Sequence, residues 1–186
     1  MPRARRTVAS LPRPLGPALA LALAFATACA DQASGPAAPP PTGEWRTFDG
    51  TWSASGDRRT LDAGADRQAA ILDLSGSILL TGERGLGAGF QARTLAFSDG
   101  HETTVGSAVW TDERGDRIFS ELRGSPVATG RRIVGTITGG TGRWAGITGE
   151  YGFDWTWVVE TEGRMQGRTV GLHGRARIAA PGGGAR

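Results

Sequence analysis

Four aromatic residues, Tyr151, Phe153, Trp155 and Trp157, recur at every second position between Glu150 and Glu160. In an extended chain successive side chains point to opposite faces, so these four form one aromatic stripe while Gly152, Asp154, Thr156 and Val158 face the other way. Three placements are open to such a stripe. It can fill a hydrophobic core, line a cavity that holds an apolar ligand, or cover a contact with a second subunit. Each assigns different chemistry to Asp154. With the stripe inside, Asp154 and Glu150 are solvated on the exterior. With the stripe outside, Asp154 is enclosed beside Thr156 and becomes a carboxylate with a shifted pKa, a candidate for proton transfer.

The remaining reactive side chains are sparse. His101 sits in a turn and His173 alternates with Arg175 and Arg177, and neither has a second ligand at metal spacing. There is no Gly-x-Ser-x-Gly, no cysteine nucleophile and no cluster of His with carboxylates. No catalytic residue, metal or cofactor is therefore assigned, and the balance tips away from an enzyme. The glycine-rich run Gly139-Gly140-Thr141-Gly142-Arg143-Trp144-Ala145-Gly146 invites a phosphate-binding reading. It lacks both a following helix, whose N-terminus would attract the anion, and a Gly-Lys-Ser/Thr.

The only cysteine, Cys29, follows a segment with the features of a bacterial export signal. Arg3, Arg5, Arg6 and Arg13 come without an acidic residue and lead into the apolar run Ala18 to Ala28. These 11 residues fall short of the roughly 20 needed to cross a bilayer. The run ends in Ala26-Thr27-Ala28-Cys29, which resembles the lipobox of bacterial lipoproteins, so Cys29 is expected to carry the lipid and anchor the protein to a membrane. Cleavage near Ala28 or Ala30 without lipid is the alternative. Residue 30 is Ala rather than Asp, which by the same resemblance points to the outer membrane in a Gram-negative host. The expected organisation is a signal peptide over 1–28, lipidated Cys29 with a Pro/Ala/Gly-rich tether over 29–43, a folded domain over 44–180, and a flexible tail over 181–186.

Export also changes the charge balance. The whole chain has 21 basic residues, all Arg, against 18 acidic ones, a net +3; without the four signal arginines it has 17 against 18. A nearly neutral domain with interspersed charges has no basic stripe for nucleic acid. With Cys29 consumed by lipid no disulfide can form, and the core alone must hold the domain together.

The stripe has to be positioned by strands. From Glu44 onward, runs of alternating polar and apolar residues are punctuated by Gly, Asp or Ser. Eight such runs are present: Thr47–Ser55, Ala69–Thr81, Gly89–Ser98, Glu102–Asp112, Asp116–Gly124, Arg131–Thr138, Gly146–Glu160 and Met165–Ala179. Short connections force antiparallel neighbours, since a parallel crossover needs about a dozen residues or more. The one long gap, Gly56 to Gln68, is charged and reads as a loop over a barrel mouth or a short helix. The expectation is an all-β, single eight-stranded antiparallel up-and-down barrel, whose closure leaves no open edge. Ile118, Ser120 and Leu122 are expected inside, as are Val170, Leu172, Gly174, Ala176 and Ile178. Interior glycines such as Gly135 and Gly174 are expected where strands bend or approach closely.

The words GGTGRWAGITG, from Gly139 to Gly149, followed by an alternating strand, resemble the GGTGxFxxAxG turn of the allene oxide cyclase and dirigent barrel-like families and of bacterial secreted proteins that share it. The resemblance implies a calycin-like eight-stranded barrel, in agreement with the strand count, and association into dimers or trimers. In those families the cyclases hold an unsaturated epoxy fatty acid in an apolar cavity, and the dirigent proteins steer the coupling of phenoxy radicals. No catalytic residue of either family matches a position here. The resulting expectation is a lipid-anchored envelope protein that binds a small apolar ligand or a protein partner, with Tyr151, Phe153, Trp155 and Trp157 as ligand-lining or core residues. The alternative, which the resemblance alone implies, is a cyclase- or isomerase-type enzyme acting on a hydrophobic substrate in the barrel cavity, with Asp154 or Glu121 as its polar group.

Overall fold

The computed structural model describes residues 43–178 except 65, 83–85 and 162. The export signal, Cys29, most of the tether and the tail lie outside the described residues. Eight strands follow one another along the chain: β1 Arg46–Asp62, β2 Gln68–Gly82, β3 Ala88–Ser98, β4 Thr104–Asp112, β5 Arg117–Val127, β6 Gly130–Gly140, β7 Thr148–Thr161 and β8 Arg164–Arg177. Each pairs antiparallel with the next and β8 pairs back with β1, so the sheet is a closed up-and-down barrel, as the alternation and short connections require.

The period of two sorts the side chains. On β3, Phe90, Ala92 and Thr94 are buried while Gln91, Arg93 and Leu95 are exposed. On β5, Ile118, Ser120 and Leu122 are inside as expected. On β7, Tyr151, Phe153 and Trp155 point inward, and the outward Asp154 holds Arg132 of β6 in a two-pronged pair at 2.9 and 3.1 Å. The turns carry glycine where φ must be positive, Gly100 at +76° and Gly115 at +85°.

Two expectations need correction. The segment Gly56 to Gln68 is neither a loop over the mouth nor a helix. β1 runs on to Asp62 and stays in register with β2 down to Asp62 opposite Gln68. Arg58, Arg59, Thr60 and Leu61 hide this in the sequence, because they extend the hairpin where no continuous apolar face is buried, and pairing with β2 together with the Arg58–Glu160 ion pair sustains it. In β8, Val170 is outside and 53% exposed, whereas Met165, Thr169 and Leu172 are inside. Gly171 takes φ +64°, and two residues of β8 oppose one of β7 between the pairs Asp154/Val170 and Gly152/His173. This bulge shifts the alternation by one residue.

Gly135 shows why an interior glycine is needed. A Cβ there would collide with the ring of Tyr151, its cross-strand partner on β7. Gly167 of β8 likewise leaves space for the indole of Trp155. Large rings can thus stack inside a barrel of only eight strands.

Candidate ligand cavity

The two ends of the barrel differ. At one end the glycine-rich connection between β6 and β7 forms a short 3-10 turn, Gly142–Trp144, rather than a tight hairpin turn. It folds Trp144 back into the barrel, 5.5 Å from the ring of Phe90. The Asp112 side chain is fully enclosed beneath it. Its Oδ2 accepts from Trp144 Nε1 at 2.9 Å and Arg143 Nε at 2.6 Å. Its Oδ1 accepts from the backbone N–H groups of Arg114 at 2.8 Å and Asp116 at 3.0 Å. Burial alone would raise the pKa of this carboxyl. The Trp144 indole, the two backbone donors and Arg143 outweigh it and hold the pKa below the ordinary value. The glycine-rich run therefore serves a plug and not an anion site.

The middle of the barrel is a layer of rings. Trp110 and Tyr151 lie 4.8 Å apart, and Tyr151 stacks on Phe153 at 6.2 Å with 9° between their planes. Tyr151 Oη and Ser120 Oγ share a hydrogen bond of 2.8 Å. Burial pushes the Tyr151 pKa far above its ordinary value, so the phenol stays neutral. It acts as a packed core group.

Beyond this layer the barrel is hollow. A cavity of about 350 Å³ occupies the end formed by the C-terminal halves of β1, β3, β5 and β7 and the N-terminal halves of β2, β4, β6 and β8. That volume lies in the range of small-molecule sites. Its aromatic wall is Trp52, Phe153, Trp155 and Trp157, with Trp52 and Trp155 4.9 Å apart. Leu72, Leu74, Leu122, Ile133 and Met165 supply the aliphatic wall. The stripe is thus divided. Tyr151 is packed core, while Phe153, Trp155 and half-buried Trp157 line the cavity. Val159, next in the alternation, is 46% exposed, because a register shift follows Trp157.

Polar groups enter this apolar space in two sets. At the rim Arg58 pairs with Glu160. Deeper in, Arg131 of β6 reaches across to β3, where its Nη2 donates to Ser98 Oγ at 3.2 Å. Ser98 stands directly opposite Thr104 of β4 in the strand register. Arg131 Nη1, Thr104 Oγ, Trp52 Nε1 and Trp155 Nε1 are all buried without a hydrogen-bond partner. All four residues line the cavity.

Sequence reasoning did not single out Arg131, Thr104, Ser98 or Trp52. The parity of β6 carries the signal for Arg131, since Ile133 is inside and the residue two before it shares that face. An arginine at the start of an alternating run reads by default as solvated, so the clue is easily passed over. Of the other candidates, Glu121 lies on the outer wall, and Glu150 pairs there with Arg175. His101 is exposed beside Glu102, and the exposed His173 is hydrogen-bonded to the carbonyl of Gly171. Among the described residues no three His, Cys, Asp or Glu side chains gather in a metal-binding group.

No protein-family model matches the sequence, and no curated protein matches it either. Among solved structures the chain is similar to a pterocarpan synthase dirigent protein, with 10% identity and a TM-score of 0.47 over 79% of this chain and 96% of that one. It is also similar to pyocyanin demethylase, with 17% identity and a TM-score of 0.37 over 68% of this chain and the whole of that one.

Proposed function

We propose that this protein is an exported, lipid-anchored envelope protein whose barrel takes up a small, largely apolar molecule through its open end. The observation that carries the reading is the contrast between the two ends. One is plugged by Trp144 over Asp112, while the other keeps a cavity of about 350 Å³ walled by aromatic and aliphatic side chains. A barrel that needed only a core would be filled along its whole length, because empty apolar space costs stability. The lipobox-like Ala26-Thr27-Ala28-Cys29 supports the anchor, and the tether supports a domain held off the membrane surface. The GGTGRWAGITG turn supports a place among bacterial secreted proteins with allene oxide cyclase-like barrels.

The reading is tested with a neutral apolar fluorophore, N-phenyl-1-naphthylamine, added to the full chain carrying Cys29→Ser so that detergent is unnecessary. Saturable binding of one molecule per chain is expected, with energy transfer from tryptophan. Absence of saturable binding would overturn the reading.

A further inference from the structure

We infer, resting on the binding function just proposed, that the ligand is a compact apolar molecule bearing one carboxylate, and that Arg131 and Thr104 receive this group inside the open end of the barrel. The argument begins with the hydrogen-bonding groups that line the cavity. Buried polar groups in folded proteins are nearly always hydrogen-bonded, because an unmade bond costs the full desolvation of the group. Here Arg131 Nη1, Thr104 Oγ, Trp52 Nε1 and Trp155 Nε1 are without a partner around a single cavity. Three of these groups can only donate, and the fourth, a hydroxyl, can donate as well. What they lack in common is an acceptor.

The arrangement narrows the acceptor's class. The Nη2 of Arg131 is held by Ser98 Oγ at 3.2 Å, which aims the guanidinium across the cavity. Thr104 stands opposite Ser98 in the register, so its hydroxyl and the uncommitted Nη1 belong to one corner of the barrel. Asp99 is an acidic residue near Arg131, but its Oδ1 already accepts from the backbone N–H groups of His101 at 2.9 Å and Thr103 at 3.0 Å. Two acids line the cavity: Glu160 is paired with Arg58 at the rim, and Asp66 is exposed in the turn between β1 and β2. A planar guanidinium with a neighbouring hydroxyl, set in a largely apolar wall, matches a carboxylate in both charge and shape.

The closed end of the same barrel provides an internal comparison. There the protein's own carboxylate, Asp112, meets an arginine, an indole N–H and two backbone donors. The open end presents Arg131, two indole N–H groups and a hydroxyl, and among these the Nη1 of Arg131, both indoles and the hydroxyl meet no carboxylate of the protein. Trp52 and Trp155 sit on β1 and β7, across the barrel from Thr104, and with Phe153 they give the ligand's apolar body a surface to stack on.

The test compares 2-naphthoate with its neutral isostere 2-naphthamide by equilibrium dialysis against the full Cys29→Ser chain at pH 7. The naphthoate should bind about tenfold or more tightly, the scale expected of a charge-assisted hydrogen bond. Arg131→Gln should remove this preference, and Thr104→Val should reduce it severalfold. Arg132→Gln, on the outer wall, should preserve it. Equal affinity for the two compounds, or a preference that survives Arg131→Gln, would overturn the carboxylate inference even if the neutral fluorophore binds. Failure of that fluorophore to bind at all would remove the binding function itself.

Discussion

The indole of Trp144 donates to Asp112 Oδ2 at 2.9 Å, and this bond seals one end of the barrel. A residue in a glycine-rich connection thereby becomes part of the core, and a carboxylate can be enclosed because four donors surround it. Opposite this plug, the chain leaves its cavity.

The plug makes stability depend on acid. Asp112 has a folded pKa below its ordinary 3.8, so its ionised form stabilises the fold at pH values above about 4. That stabilisation is lost as pH falls through the ordinary value toward the folded one. Asp112→Asn should lower the thermal midpoint at pH 7, because donors lose their charged acceptor. It should also make the decline between about pH 5 and pH 3 shallower, as expected when a depressed carboxylate is removed. The slope that remains is expected from Asp73, Asp99 and Asp154, which are also held low. Thermal melts across that range would show it, and an unchanged slope in the variant would contradict the role given to Asp112.

Close packing of the ring layer rests on Gly135. A methyl group there meets the ring of Tyr151. Gly135→Ala should cost about 1–3 kcal/mol in denaturant unfolding, the usual penalty of overpacking a core. A loss below a few tenths of a kcal/mol would mean that the ring layer is looser than the geometry indicates.

The uncommitted hydroxyl of Thr104 predicts a gain in stability. Thr104→Val replaces a buried group that has no hydrogen-bond partner by an apolar one of similar shape. The unliganded chain should become more stable by about 1 kcal/mol, the order of the desolvation cost removed. Destabilisation by a similar amount would show that the hydroxyl is satisfied within the folded protein.

Anchoring is tested apart from the barrel. Replacement of Cys29 by Ser should move the protein from the membrane fraction to the soluble exported fraction. Retention in the membrane fraction would contradict lipidation at this residue.

Much of the barrel was legible because its physics is local. Alternation, short connections and turn glycines such as Gly100 and Gly115 fix eight antiparallel strands without reference to distant contacts. The facing of Tyr151, Phe153 and Trp155 was an open choice in the sequence, since two-fold periodicity marks a face without saying which side is water. Val170 went astray because one glycine in the left-handed region shifts the parity of β8, a backbone event that composition does not reveal. The extension of β1 to Asp62 was hidden because its charged residues lie beyond the segment with a continuous buried face. The cavity was the least legible feature. It depends on the sum of side-chain volumes from all eight strands, and its donors, Arg131, Thr104, Trp52 and Trp155, come from four of them. Their shared lack of partners emerges only when β1, β4, β6 and β7 are brought around one space.

The location of binding is the most direct test of the account. The outer wall also offers apolar surface, with Ile71, Phe97 and Val105 in consecutive cross-strand register and exposed, so fluorophore binding alone does not distinguish inside from outside. The decisive measurement is the affinity of N-phenyl-1-naphthylamine for two variants of adjacent residues, Ala96→Phe, which fills the cavity, and Phe97→Ala, which strips the outer wall. The account predicts that Ala96→Phe abolishes saturable binding while Phe97→Ala leaves it within about twofold, a change below the roughly 1.4 kcal/mol that separates tenfold affinities. Binding that survives Ala96→Phe and disappears in Phe97→Ala would place the ligand outside the barrel and contradict the account.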